Sequence, residues 1–160
     1  MRVTLIRHAE AGDDAPDDES RALTARGRAD SRRVGRALAR RGTRFSLIVT
    51  SPLVRAVQTA EIVAAAVEYR ARILVTDLLI PDAPAARAAA FLAGLGQEKS
   101  VALVAHEPIL SALAGVLLHA PRHPPLRKAE ALRLRFPDGG QGPSVARWRI
   151  DPSNGRRERL

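Results

Sequence analysis

Short apolar runs punctuate the chain at 3–6 (VTLI), 45–50 (FSLIVT), 71–80 (ARILVTDLLI) and 100–105 (SVALVA). They are rich in β-branched and aliphatic residues and show little polar alternation, which predicts strands buried on both faces. Between them the pattern changes to a helical period. In ESRALTARGRADSRRVGRALARRG, apolar or small residues recur at Ala22, Leu23, Ala29, Val34, Ala37 and Leu38 with Arg between them. That stripe predicts a surface helix capped near Thr24 and closed by Gly42. Helical patterns also run through LVRAVQTAEIVAAAV, AARAAAFLAGLG and ILSALAGVLLHA. The last third alternates instead: ALRLRF and SVARWRI flank the Gly-Pro stretch PDGGQGP at 137–143, which predicts an antiparallel hairpin at a sheet edge.

Strands alternating with helices of this length form βαβ units. The predicted fold is therefore α/β, with a mostly parallel central sheet, helices on both faces and the C-terminal antiparallel hairpin. At 160 residues the chain is expected to fold as one domain over 1–152, with a flexible tail over 153–160.

Composition narrows the chemistry. There are no cysteines, which excludes a disulfide framework, a thiol nucleophile and a Cys-ligated zinc site. No apolar run approaches the roughly 18 residues of a membrane span, and the first strand begins at Val3, so no signal peptide is expected. The expectation is a cytoplasmic protein without a membrane partner. The net charge is +9, and all but two of the 26 basic residues are Arg. Such a field draws in anions, phosphorylated substrates among them. Aromatic residues make up only 3% of the chain and the Arg residues are dispersed, so a nucleic-acid partner is not expected.

The chemistry lies in the residues that leave three of the strands. The first strand delivers Arg7 and His8, the second leads through TSPLVRA to Arg55 in the first turn of a helix, and the fourth delivers His106 in LVAHEP. Ligands of open α/β sheets bind at the carboxyl ends of the strands, so two guanidiniums and two imidazoles converge where an anion is expected. Arg offers planar bidentate donors to phosphoryl oxygens, and a helix N-terminus near Pro52 adds backbone N–H groups. A neutral His can attack phosphorus and divide one displacement into two steps. A second His can then stabilise the equatorial oxygens.

In order and spacing, LIRHAEA, SRALTARG, TSPLVRAVQTAEIV and LVAHEP resemble the histidine phosphatase superfamily, the phosphoglycerate-mutase-like proteins with an Arg-His motif after the first strand. The short chain resembles the compact branch of bacterial phosphohistidine phosphatases, which lack the helical insertions that cover substrate in mutases. The resemblance runs from Met1 to about His119, with the final hairpin matched only loosely. It implies that His8 is the phosphate-accepting nucleophile, that Arg7 and Arg55 bind the phosphoryl oxygens, that His106 completes the pocket, and that Arg21 lies near it as a substrate-binding residue. It also implies a metal-independent phosphatase without a cofactor, acting on phosphohistidine in a phosphorylated protein or on a small phosphorylated molecule.

Two departures from the family pattern stand out. Ala9 follows the nucleophile where glycine is common, and the region after the third strand offers Asp77 and Asp82 but not the glutamate that serves as proton donor in mutases. Glu10 and Asp82 are both candidates for the acid. The unassigned acid keeps a rival expectation open, a phosphate-sensing or protein-binding module that retains the pocket without turnover. The acidic run Asp13, Asp14, Asp17, Asp18 and Glu19 reads as a solvated loop or as a rim that selects a basic partner. It lacks the Asp-x-Asp-x-Asp-Gly order of a calcium loop, so no metal is expected. The sequence sets no oligomeric state.

Overall fold

The computed structural model describes residues 1–137 and 142–160. In chain order it contains β1 (Arg2–Arg7), α1 (Ala25–Ala39), β2 (Leu47–Thr50), α2 (Val54–Ala66), β3 (Leu74–Val75), α3 (Ala85–Gly94), β4 (Ser100–Ala105), α4 (Ile109–Leu118), β5 (Ala131–Arg135), β6 (Val145–Ile150) and β7 (Arg157–Arg159). A single 3-10 turn, Asp77–Leu79, follows β3. The strands form one sheet in the order β3-β2-β4-β1-β5-β6-β7. Pairing is parallel from β3 to β1 and antiparallel from β1 to β7.

The apolar runs are continuous because the central strands are covered on both sides. Val3 and Leu5 of β1 face one core with Val101, Leu103, Leu110 and Leu113, under α3 and α4. Ile6 faces the other with Ile48, Val104, Val34, Leu38 and Val63, under α1 and α2. Every residue of β4 is buried, as its central place in the sheet requires.

Helix α1 starts where its sequence calls for it. Thr24 has extended backbone, and its hydroxyl accepts from Gly27 N–H at 3.0 Å. At the other end the chain turns at Gly42, where φ is +63° and a side chain would be strained.

Three expectations are corrected. The strand expected over 71–80 shrinks to Leu74–Val75, because Thr76 caps the 3-10 turn by accepting from Leu78 N–H at 3.3 Å. In place of a tail over 153–160, residues 157–159 pair with β6 as β7. The return is built from short polar side chains: Asp151 accepts from Ser153 N–H at 2.8 Å, Asn154 accepts from Arg156 N–H at 2.7 Å, and Gly155 takes φ +69°. The hairpin strands β5 and β6 consequently lie inside the sheet, between β1 and β7. Residues 138–141 of the expected Gly-Pro turn lie outside the described residues. Among the described residues, no helix is long and apolar enough to cross a membrane.

Candidate active site

Sheet register brings the two histidines together. Arg7 is the parallel partner of Ala105, so the next residues, His8 and His106, leave neighbouring strands side by side. His8 N–H donates to the Ala105 carbonyl at 2.8 Å, extending the ladder by one step. The two rings lie 4.9 Å apart between centroids, tilted by 51°. Strand β2, on the far side of β4, ends at Thr50 and hands the chain through Ser51 to α2, which carries Arg55 in its first turn.

Each side chain is held from behind. His8 Nδ1 lies 2.7 Å from the Ala9 carbonyl oxygen. A carbonyl can only accept, so Nδ1 carries the proton and Nε2 carries the lone pair. Ala9 N–H donates to Thr59 Oγ1 at 3.2 Å, and Thr59 in turn donates to the Arg55 carbonyl at 2.7 Å, which couples the His8 loop to α2. His106 Nε2 lies 2.8 Å from Ser51 Oγ, while its Nδ1 is buried without a partner among the described residues. Arg7 donates to the Leu126 carbonyl at 2.7 Å, and its Nε is likewise buried and unpaired. Two unpaired buried polar atoms at one place are what a site built for a charged ligand leaves behind.

Burial and the neighbouring cations set the protonation of the pair. Loss of solvent, then the charges of Arg55, Arg7 and Lys128, push the His8 pKa from 6.5 to about 4 against the opposing hydrogen bond to Ala9. His106 is pushed to about 3, by loss of solvent first, then by His8 and Arg55. Both imidazoles are therefore neutral near pH 7.

Arg55 is 5% exposed, and the acidic loop closes over it. The Asp18 carbonyl accepts from one terminal nitrogen of Arg55 at 2.6 Å, and the Asp18 carboxylate meets the other at 2.9 Å. The same carboxylate accepts from Arg21 at 2.9 Å. Hydrogen bonds from Arg21, then from Arg55, hold the Asp18 carboxyl below the usual carboxylate range. The guanidinium of Arg21 also engages the Gly12 carbonyl at 2.8 Å and Asp13 at 3.1 Å.

Of the residues expected at the site, the structure thus brings together His8, His106 and Arg55, with Arg7 beside His8 on β1. Arg21 stands one carboxylate away, reaching Arg55 through Asp18. Neither candidate acid meets an imidazole: Glu10 lines a hollow with Arg7 but accepts from the Thr24 hydroxyl at 2.8 Å, and Asp82 is exposed without a hydrogen bond among the described residues. Sequence reading missed Ser51, Thr59 and the specific part of Asp18. Gly27 is a further surprise. A Cβ there would lie 2.0 Å from the Glu10 carbonyl oxygen, so glycine is what lets α1 lie against the loop that follows His8.

Known proteins resemble this chain in sequence and in fold. Residues 3–79 match the histidine phosphatase superfamily (branch 1). The phosphohistidine phosphatase SixA of Escherichia coli (strain K12) is 27% identical over 156 residues, covering 96% of each chain. An uncharacterized protein of a Picosynechococcus species is 36% identical over 144 residues, covering 84% of this chain and 85% of its own. The solved structure of the protein histidine phosphatase SixA complexed with tungstate superposes with a TM-score of 0.90 at 25% identity, covering 98% of this chain and 100% of that one. Agreement that runs nearly end to end, in sequence and in backbone, makes this chain a member of the histidine phosphatase superfamily.

Proposed function

We propose that this phosphatase hydrolyses phosphohistidine on proteins through a phosphorylated His8. The observation that carries the reading is the fixed tautomer of His8, whose neutral Nε2 stands free beside His106, near the buried guanidinium of Arg55 and the half-buried Arg7. Nε2 attacks phosphorus, forming an N–P bond as the P–N bond of the substrate breaks, and the departing imidazole takes a proton from water. Water then attacks the new bond, which releases inorganic phosphate and returns His8 to its starting state. Arg7 and Arg55 offer donors to the equatorial oxygens, and His106, its ring held by Ser51 and standing 4.9 Å from that of His8, completes the pocket. Arg21 joins this cradle through Asp18 and so helps to hold the phosphoryl group.

The substrate class is supported by the SixA relative, which is named for phosphohistidine, and by the leaving group. Neither candidate acid is poised at the pocket: Glu10 is held by the Thr24 hydroxyl and Asp82 is exposed without a hydrogen bond among the described residues. An alkoxide leaving group needs such a donor, whereas imidazole departs with a solvent proton. The test is to compare a phosphohistidine protein, p-nitrophenyl phosphate and a simple alkyl phosphate, with and without chelator. We expect kcat/KM to fall in that order and chelator to leave it unchanged. Turnover of the alkyl ester as fast as phosphohistidine overturns the substrate class, and saturable phosphate binding without turnover of any substrate overturns catalysis.

A further inference from the structure

At the opposite end of the sheet from His8, the chain collects guanidiniums with no Asp or Glu among them. A basin of about 760 Å³ opens there, and eight of its thirteen lining residues are Arg while none is Asp or Glu. Cross-strand register explains the convergence. Arg2 at the start of β1 lies directly opposite Arg135 of β5, Arg133 lies opposite Trp148 of β6, and Trp148 lies opposite Arg159 of β7. Paired residues share a face, and Arg133 and Arg135 stand two residues apart on β5, so two adjacent rows of side chains from four strands meet on one face, and the register shift between Arg133 and Leu134 brings Arg147 to the same basin. Arg41 and Arg44, from the turn before β2, close its rim.

Among the described residues, none of these eight guanidiniums meets a carboxylate. Like charges placed directly across a sheet destabilise it, so Arg2 opposite Arg135 works against the fold in the absence of a counter-charge. The innermost member makes the point most strongly. Arg133 is only 7% exposed, its Nε has no partner, and its nearest hydrogen bond, to Ser100 Oγ, stretches to 3.5 Å. It is held in place by the faces of Trp148 and Phe45, at 5.1 and 5.7 Å from their centroids. Burial, then the charge of Arg2, lowers its pKa to about 10, which leaves it fully charged at neutral pH. A buried, charged and unpaired donor is costly to keep unless something supplies the acceptors.

We propose that this basin is a second anion site, which binds a compact small molecule carrying at least two phosphoryl groups. Several guanidiniums around one hollow match clustered oxyanions, and the volume falls within the roughly 300–1,000 Å³ of small-molecule sites. A linear polyanion is a poorer fit, because the charges converge on a hollow and the one Trp of the chain is already stacked by Arg133. The site is independent of the catalytic reading. Arg2 and Arg7 stand at opposite ends of β1, on the order of 16 Å apart at the rise of an extended strand.

The experiment is calorimetric titration of the full chain with inorganic tripolyphosphate, in the presence of saturating tungstate to occupy the His8 pocket. We expect one equivalent to bind at least ten times more tightly than inorganic monophosphate. Arg135→Gln with Arg159→Gln removes two exposed charges of the crowded basin, one of them directly opposite Arg2, so the double variant should fold and melt at or above the wild-type temperature. It should lose at least tenfold in tripolyphosphate affinity while kcat and KM for p-nitrophenyl phosphate stay within twofold. Affinity unchanged in the double variant overturns the proposal, as does binding that tungstate abolishes. A single-stranded oligonucleotide that binds more tightly than tripolyphosphate and fails on the same variant overturns the small-ligand assignment in favour of nucleic acid.

Discussion

Acidification from pH 7 to pH 5 should destabilise this protein through two residues. In the unfolded chain a histidine titrates near 6.5, so at pH 5 both His8 and His106 are protonated there, whereas folded they remain neutral with pKa values of about 4 and about 3. A pKa lowered by folding gives stability that is complete above the unfolded value and is lost as pH falls toward the folded one. At pH 5 the unfolded state has gained about 1.5 pK units of proton binding per imidazole, or about 2 kcal/mol each and about 4 kcal/mol for the pair. Against a total of about 5–15 kcal/mol, that is a large fraction. Urea unfolding at the two pH values measures it directly. His8→Gln with His106→Gln cannot titrate, so its pH 5 to pH 7 difference should be smaller than wild type by about 4 kcal/mol. Imidazole Cε1–H resonances of His8 and His106 should stay at their neutral positions between pH 8 and pH 5. A midpoint near 6.5 for either, or a wild-type stability that changes by less than about 1 kcal/mol, would refute a buried neutral pair.

The same geometry bears on activity. His8→Ala should abolish turnover while retaining the fold, and brief incubation of wild type with labelled substrate should trap acid-labile, base-stable label that the variant lacks. Arg55→Ala should lower kcat by on the order of 10²-fold or more, with Arg55→Lys recovering only part because the planar fork is lost. Asp18→Ala removes the carboxylate that meets Arg55 and Arg21, each at 2.9 Å, and leaves only the backbone carbonyl contact to Arg55, so kcat should fall by about 10-fold, as expected for a misplaced catalytic group. Asp18→Asn keeps one side-chain oxygen to accept from Arg55 but puts a donor toward Arg21, so it should restore only part of it; unchanged kinetics in Asp18→Ala would remove this residue from the site.

The sheet and its strand ends were legible because burial on both faces leaves an apolar run that no surface strand imitates, as in VTLI and SVALVA. Once those runs are parallel neighbours, Arg7, His8 and His106 must emerge together. Strand β7 was illegible for the opposite reason. All three of its residues are exposed at the sheet edge, so the charged sequence RER carries no hydrophobic signal. Ser51 and Asp18 were hidden by distance, since their contacts with His106 and Arg55 span 55 and 37 residues and short polar side chains suit many turns. Gly27 left a trace in SRALTARG, where a glycine three residues after the capping Thr24 is a poor helix former that only a close backbone approach explains.

The hydrogen bond between His8 Nδ1 and the Ala9 carbonyl also fixes regiochemistry. Two isomers of phosphohistidine exist, one for each ring nitrogen. With Nδ1 occupied by its proton, a phosphoryl group can be accepted only at Nε2, and transfer to the other nitrogen would require the ring to turn and abandon the carbonyl. The trapped protein should therefore carry a single isomer, distinguishable from its counterpart by ³¹P and ¹⁵N resonances. In the proposed mechanism, which nitrogen takes the phosphorus is decided by the backbone one residue downstream, before any substrate arrives.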